Sequence, residues 1–126
     1  AYDFVVDAID TVAAKLELAM RAYAAGVPII SAMGCGNKLD PTAFAVTDIF
    51  ATHTDPLARV LRRELRRHGI EHLDVVFSPE EAHECAQAEA PPPGRRSVPG
   101  SAVWVPAAAG LLMAQKIVLD IAGVEI

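Results

Sequence analysis

The sequence predicts an α/β layer fold with a mostly parallel sheet and helices on its flanks. Short aliphatic runs of strand length alternate with longer segments whose apolar residues recur at helical spacing. The composition is 52% hydrophobic but only 6% aromatic, the aliphatic bias of buried strands covered by Ala-rich helices. Gly, Pro and Asp punctuate the segment ends, where they stop helices and start turns. At 126 residues the expectation is a single domain over 1–126.

Phe4-Val5-Val6, followed by Asp7-Ala8-Ile9, reads as a buried parallel strand running into its C-terminal loop. Asp10 then stands where a helix N-cap is expected, before a face of Val12, Leu16, Ala19, Met20 and Tyr23. Gly26 supplies the C-cap and Pro28 prevents continuation. A second buried strand is expected over Val27–Met33, closed by Gly34-Cys35-Gly36, which completes a βαβ unit. A turn-rich stretch from Asn37 to Thr42 leads to a strand expected over Ala45–Phe50.

Asp55-Pro56 starts a second helix, with Asp as cap and Pro at the first helical position. Leu57, Val60, Leu61 and Leu65 keep its apolar spacing, and Gly69 ends it. Leu73–Phe77 reads as a further strand, and Ser78-Pro79-Glu80-Glu81 suits the cap of a brief helix. The run EAPPPGRRSVPG is loop-like; Ala102–Val105 reads as a last strand and Pro106–Ala122 as a long, mostly buried helix. Three clear strands are few for a doubly covered sheet, so missing sequence or another chain is expected to complete it.

The formal net charge of −5 gives no general attraction to nucleic acid, so any such contact must come from a local basic patch. Cys35 and Cys85 stand far apart without CxxC spacing, which rules out a disulfide framework and a four-ligand zinc site. The N-terminus carries acids where a secretory leader has basic residues, and a cytoplasmic location is expected. The apolar run near the C-terminus is broken by Pro106, Gln115, Lys116 and Asp120, which argues for a buried helix rather than a membrane span. The chain opens on Ala1 with a strand almost at once, the pattern expected of a cut protein.

Four segments in order carry a resemblance: VVDAID with Lys15, PIISAMGCGNKLDPT, VTDIFATHTDPLARVLRRELRRHGI and RRSVPGSAVWVPAAAGL. Together they resemble the ThiF/MoeB/HesA adenylating superfamily, most of all its tRNA threonylcarbamoyladenosine dehydratase branch. Cys35 replaces the family's usual small residue between Gly34 and Gly36, and the paired CxxC zinc motifs of MoeB- and ThiF-like relatives are absent, as in the dehydratase branch. The resemblance implies the C-terminal part of a Rossmann-like, mostly parallel sheet with flanking helices, with the Gly-rich nucleotide-binding half lying upstream. It implies ATP and Mg²⁺ as cofactors of the complete protein, tRNA as partner and a homodimer. The implied chemistry is adenylation of a carboxylate, then cyclisation with loss of AMP, which needs cations around the α-phosphate. Two alternatives stand beside it: adenylation of a sulfur-carrier protein's C-terminus, and a catalytically silent dimerisation module.

Asp10 is the first candidate site residue, because open α/β sheets bind ligands beyond the C-terminal ends of their strands. The resemblance gives it a catalytic role at the ATP and Mg²⁺ region; the sequence alone gives it the helix cap. Asp7 is a second cofactor-binding candidate, or the end of its strand. Gly34-Cys35-Gly36 fails the dinucleotide fingerprint, since Leu39 holds the third glycine position. Asn37, Lys38 and Asp40 match the family motif as pocket residues, though NKLDP is also an ordinary turn. Arg59, Arg62, Arg63, Arg66 and Arg67 crowd one helix, usually a solvated face. For an enzyme acting on tRNA, Arg62 and Arg66 in the motif, and Arg95 and Arg96 in the loop, are RNA-contact candidates. Cys85, among Glu81, Glu84 and Glu89, reads as non-catalytic.

Overall fold

The structure, a computed structural model, describes residues 2–84 and 100–125. Four strands, β1 (Val5–Asp7), β2 (Ile29–Ala32), β3 (Ala45–Asp48) and β4 (Asp74–Phe77), form one sheet in the order β1-β2-β4-β3. β1, β2 and β4 are parallel, and β3 runs antiparallel at the edge. Three helices cover it: α1 (Val12–Ala25), α2 (Pro56–Arg67) and α3 (Trp104–Ala122).

The pleat sorts the core into two layers. Val75 and Phe77 join Ala19 of α1 and Ala58, Leu61 and Leu65 of α2 on one face. Ile30 and Val76 join Ala109 and Met113 of α3 on the other. Leu61 and Leu65 are fully buried, each contributing about 1.5–3 kcal/mol of burial. Register carries the same alternation across strands. Val5 and Asp7 pair with Ile29 and Ser31, and those four share the α1 face.

The expected boundaries hold at the end of α1 and the start of α2. Gly26 ends α1 at φ 67 with its N–H on Ala22 O and Tyr23 O, a conformation that costs glycine little. Asp55 caps α2 and Pro56 is its first residue.

Elsewhere the structure corrects the sequence. Asp10 does not cap α1: the N-cap position is Thr11, and no side chain caps the helix. The strand expected at Ala102–Val105 is absent, because α3 begins at Trp104 with Val105 buried against the sheet. Pro106 is tolerated there because the first helical turn needs no backbone donor. The expected strand Ala45–Phe50 stops at Asp48, whose carboxylate caps a 3₁₀ turn over Ile49–Ala51. Residues 78–84 form no brief helix. Finally, α3 is not mostly buried: it buries Val105, Ala109 and Met113 and exposes Leu111, Val118 and Ile121. By length and composition it could cross a membrane, with an 18-residue window of mean hydropathy 1.5, so the interruptions weighed in the sequence do not disqualify it on those grounds.

Candidate functional site

The C-terminal ends of β1 and β2 open on a cavity of about 640 Å³, roofed by α3 through Pro106, Ala109, Gly110 and Met113. Its walls are Ala8-Ile9-Asp10 from the β1–α1 loop and Met33 to Gly36 from the segment after β2. This is where an open parallel sheet places its ligand.

Beneath it lies a buried ionic triad. Lys15 of α1 donates to Asp7 Oδ1 at 3.1 Å and reaches Ser31 Oγ at 3.4 Å. Ser31 Oγ donates to Asp7 Oδ2 at 2.6 Å, and the Ile9 N–H completes the set on Asp7 Oδ1 at 3.1 Å. All three side chains are about 1% exposed. A lysine buried this deeply is tolerable because its charge is matched and every partner is hydrogen-bonded. The triad fixes the β1–α1 loop, and with it Asp10. Asp7 is therefore spent inside the fold, and the structure does not bring it to the cavity surface. Asp10 is exposed and lines the cavity. Among the described residues no hydrogen bond or ion pair engages its carboxylate.

A second buried carboxylate holds the opposite wall. Asp55 caps α2 by accepting from Leu57 N at 3.0 Å and accepts the Gly34 N–H at 2.8 Å. A Cβ on Gly34 would sit 2.9 Å from Asp55 Oδ1, closer than real contacts allow. Gly34→Ala should therefore cost about 1–3 kcal/mol through overpacking, read as a lower denaturation midpoint; an unchanged midpoint would refute this close approach.

The motif residues Asn37, Lys38 and Asp40 shape the loop rather than the cavity wall. Asn37 takes φ 59 and ties to Gly100 through a 2.9 Å bond from its N–H and a 2.5 Å bond to its side chain. Lys38 is buried and donates to Ser78 O at 2.9 Å. Asp40 caps the turn at Pro41–Ala43. Glu80, read from the sequence only as part of a helix cap, clamps this loop by accepting from Leu39 N at 2.9 Å and Asp40 N at 3.0 Å. Those two backbone donors hold its carboxyl below the ordinary value. A lowered folded value means the clamp is present at neutral pH and lost as pH falls through that value. Glu80→Gln should therefore make the acid limb of a melting-temperature profile shallower than in wild type, and an acid limb that the substitution leaves unchanged would contradict this.

Cys35 also lines the cavity, but burial pushes its thiol up, only partly offset by Lys38. It stays protonated at neutral pH and is no thiolate nucleophile. Arg62 is turned inward, bonding Thr52 O at 3.1 Å and Thr52 Oγ1 at 2.5 Å, and Arg66 lies 5.0 Å over the Phe50 ring. Arg95, Arg96 and Cys85 fall outside the described residues.

No family model matches the chain. It is 39% identical to the tRNA threonylcarbamoyladenosine dehydratase of Bacillus subtilis over 94% of its length and 50% of the relative's. It superposes on the Escherichia coli tRNA N6-threonylcarbamoyladenosine dehydratase in complex with AMP with a TM-score of 0.77 at 30% identity, covering 98% of this chain and 51% of that one. The same enzyme in complex with ATP gives a TM-score of 0.67 at 30% identity, covering 93% and 50%. The chain is a homologue of these dehydratases. The family and the α/β fold read from the sequence motifs are thereby borne out, and the chain spans about half the length of the dehydratases it matches.

Proposed function

We propose that the chain forms part of an ATP-dependent tRNA-modifying dehydratase that adenylates threonylcarbamoyladenosine and cyclises it with loss of AMP. The carrying observation is the cavity beyond β1 and β2 with the exposed carboxylate of Asp10 at its rim, in a chain similar over 98% of its length to a dehydratase in complex with AMP. ATP supplies the activation by turning a carboxylate oxygen into a phosphate leaving group.

The residues present fit a share of that site. Among the described residues no group of three or more His, Cys, Asp or Glu side chains could hold a metal. Mg²⁺, however, is commonly held by one or two carboxylates with phosphates and water supplying the rest. The proposal assigns that role to Asp10, whose exposed carboxylate lines the cavity. The cavity's only other charged wall group among the described residues, Lys15, is already neutralised by Asp7. None of these described wall residues supplies a free cation or a phosphate cradle, and the proposal assigns both to the upstream half of the adenylating domain. Gly34 to Gly36 line the wall with backbone, close to where a bound substrate would approach.

The proposal includes a cytoplasmic homodimer, with the exposed Leu111, Val118 and Ile121 on α3 as an apolar face of the kind partners cover. Light scattering on the intact protein should show a dimer; a stable monomer would remove this part.

The test is incubation of the intact protein with Mg-ATP and tRNA carrying threonylcarbamoyladenosine. AMP and the dehydrated nucleoside should appear together. AMP release dependent on a sulfur-carrier protein and indifferent to tRNA would favour the ThiF/MoeB-type alternative instead, and no nucleotide turnover with either would favour a silent module.

A further inference from the structure

α2 concentrates positive charge that neither the cavity nor the core uses. Its twelve residues hold five arginines and one glutamate, in a chain with eleven lysines and arginines and a formal net charge of −5. Ala58, Leu61 and Leu65 take the core side, and Arg62 is committed to Thr52. Arg59, Arg63, Arg66 and Arg67 are exposed, with 68% and 70% of the side chains of Arg63 and Arg67 in solvent.

A solvated helix face explains this arrangement poorly. Such faces alternate charge sign at four-residue spacing, whereas here Glu64 alone faces both Arg63, at 3.5 Å, and Arg67, at 3.3 Å. The helix dipole favours Arg66 and Arg67 in the last turn but disfavours Arg59 near the N-terminus. Arg59, Arg63 and Arg67 recur every four residues, so they project from one side in steps of about 6 Å along the axis. That spacing is of the same order as the charge spacing along a nucleic-acid strand. The helix also starts at the cavity: Leu57 lines it and Asp55 bonds Gly34 in its wall.

We propose that the outer face of α2, through Arg59, Arg63 and Arg67, binds the phosphate backbone of the tRNA and leads it to the cavity. This rests on the dehydratase reading. The contact is to the backbone and is blind to base sequence, and it gives a net-acidic protein a local surface for a polyanion.

The test compares the intact wild-type protein with the triple variant Arg59→Gln/Arg63→Gln/Arg67→Gln. Arg21→Gln, an 80% exposed arginine on α1, serves as control. The triple variant should raise KM for the tRNA by on the order of tenfold or more and make the salt dependence of tRNA binding shallower by about 3, one for each phosphate contact. Its kcat at saturating tRNA and its melting temperature should match wild type. Unchanged KM and salt slope in the triple variant, while wild type turns the tRNA over, would overturn this surface and leave the dehydratase reading standing. An equal effect from Arg21→Gln would overturn it too, as would loss confined to kcat. A wild-type protein inert toward the tRNA would instead refute the dehydratase reading on which the surface rests.

Discussion

Lys15→Met should cost about 3–5 kcal/mol of stability, the penalty for leaving a buried charge without its partner. Asp7 would keep the Ser31 hydroxyl and the Ile9 N–H, but its charge would remain in a site about 1% exposed. Against a typical total of about 5–15 kcal/mol, that is enough to leave a substantial unfolded fraction. Asp7→Leu alone should be comparably harmful, because the ammonium would then be stranded. The double variant Asp7→Leu/Lys15→Met should recover much of the loss, since neither charge is then buried. Urea denaturation of the four proteins closes the cycle. If Lys15→Met stays within about 1 kcal/mol of wild type, the pair is solvated and does not anchor the β1–α1 loop.

Much of the fold is legible because its signals are local. Gly26 after an amphipathic run, and Asp55-Pro56 before one, fix helix ends through backbone chemistry that operates within a few residues. The β1-α1-β2 unit follows from those ends. The misread elements are the ones settled by tertiary contact. Ala102–Val105 has β-branched and aromatic residues typical of a strand, yet Val105 is fully buried as part of a helix turn. Asp10 sits where a cap is expected, but the helix begins after Thr11 and leaves the carboxylate free to face the cavity. The triad joins positions 8, 16 and 24 residues apart, so no short spacing reveals it. Lys15 stood out only within the family motif, Asp55 and Glu80 were legible only as parts of helix caps, and Ser31 carried no signal of its own. Conversely, Asn37, Lys38 and Asp40, chosen by motif, turn out to hold the loop through Gly100, Ser78 and Thr42.

Asp10 does not cap α1 and lines the cavity, so its charge can be removed without touching a helix end. An exposed carboxylate with no hydrogen bond among the described residues should be removable with little effect on folding, within about 0.5 kcal/mol. If it helps hold Mg²⁺ against the ATP phosphates, loss of its charge should lower turnover about a hundredfold or more, roughly 2.7 kcal/mol of transition-state stabilisation. Asn keeps the shape and removes only the charge, so the comparison isolates the electrostatic role. The most direct measurement is the rate of AMP release by the intact protein and its Asp10→Asn variant, with Mg-ATP and tRNA carrying threonylcarbamoyladenosine, beside a thermal melt of each. The expected result is an unchanged melting temperature and AMP release reduced a hundredfold or more; near-wild-type AMP release by the Asn variant would contradict a role for Asp10 in holding Mg²⁺.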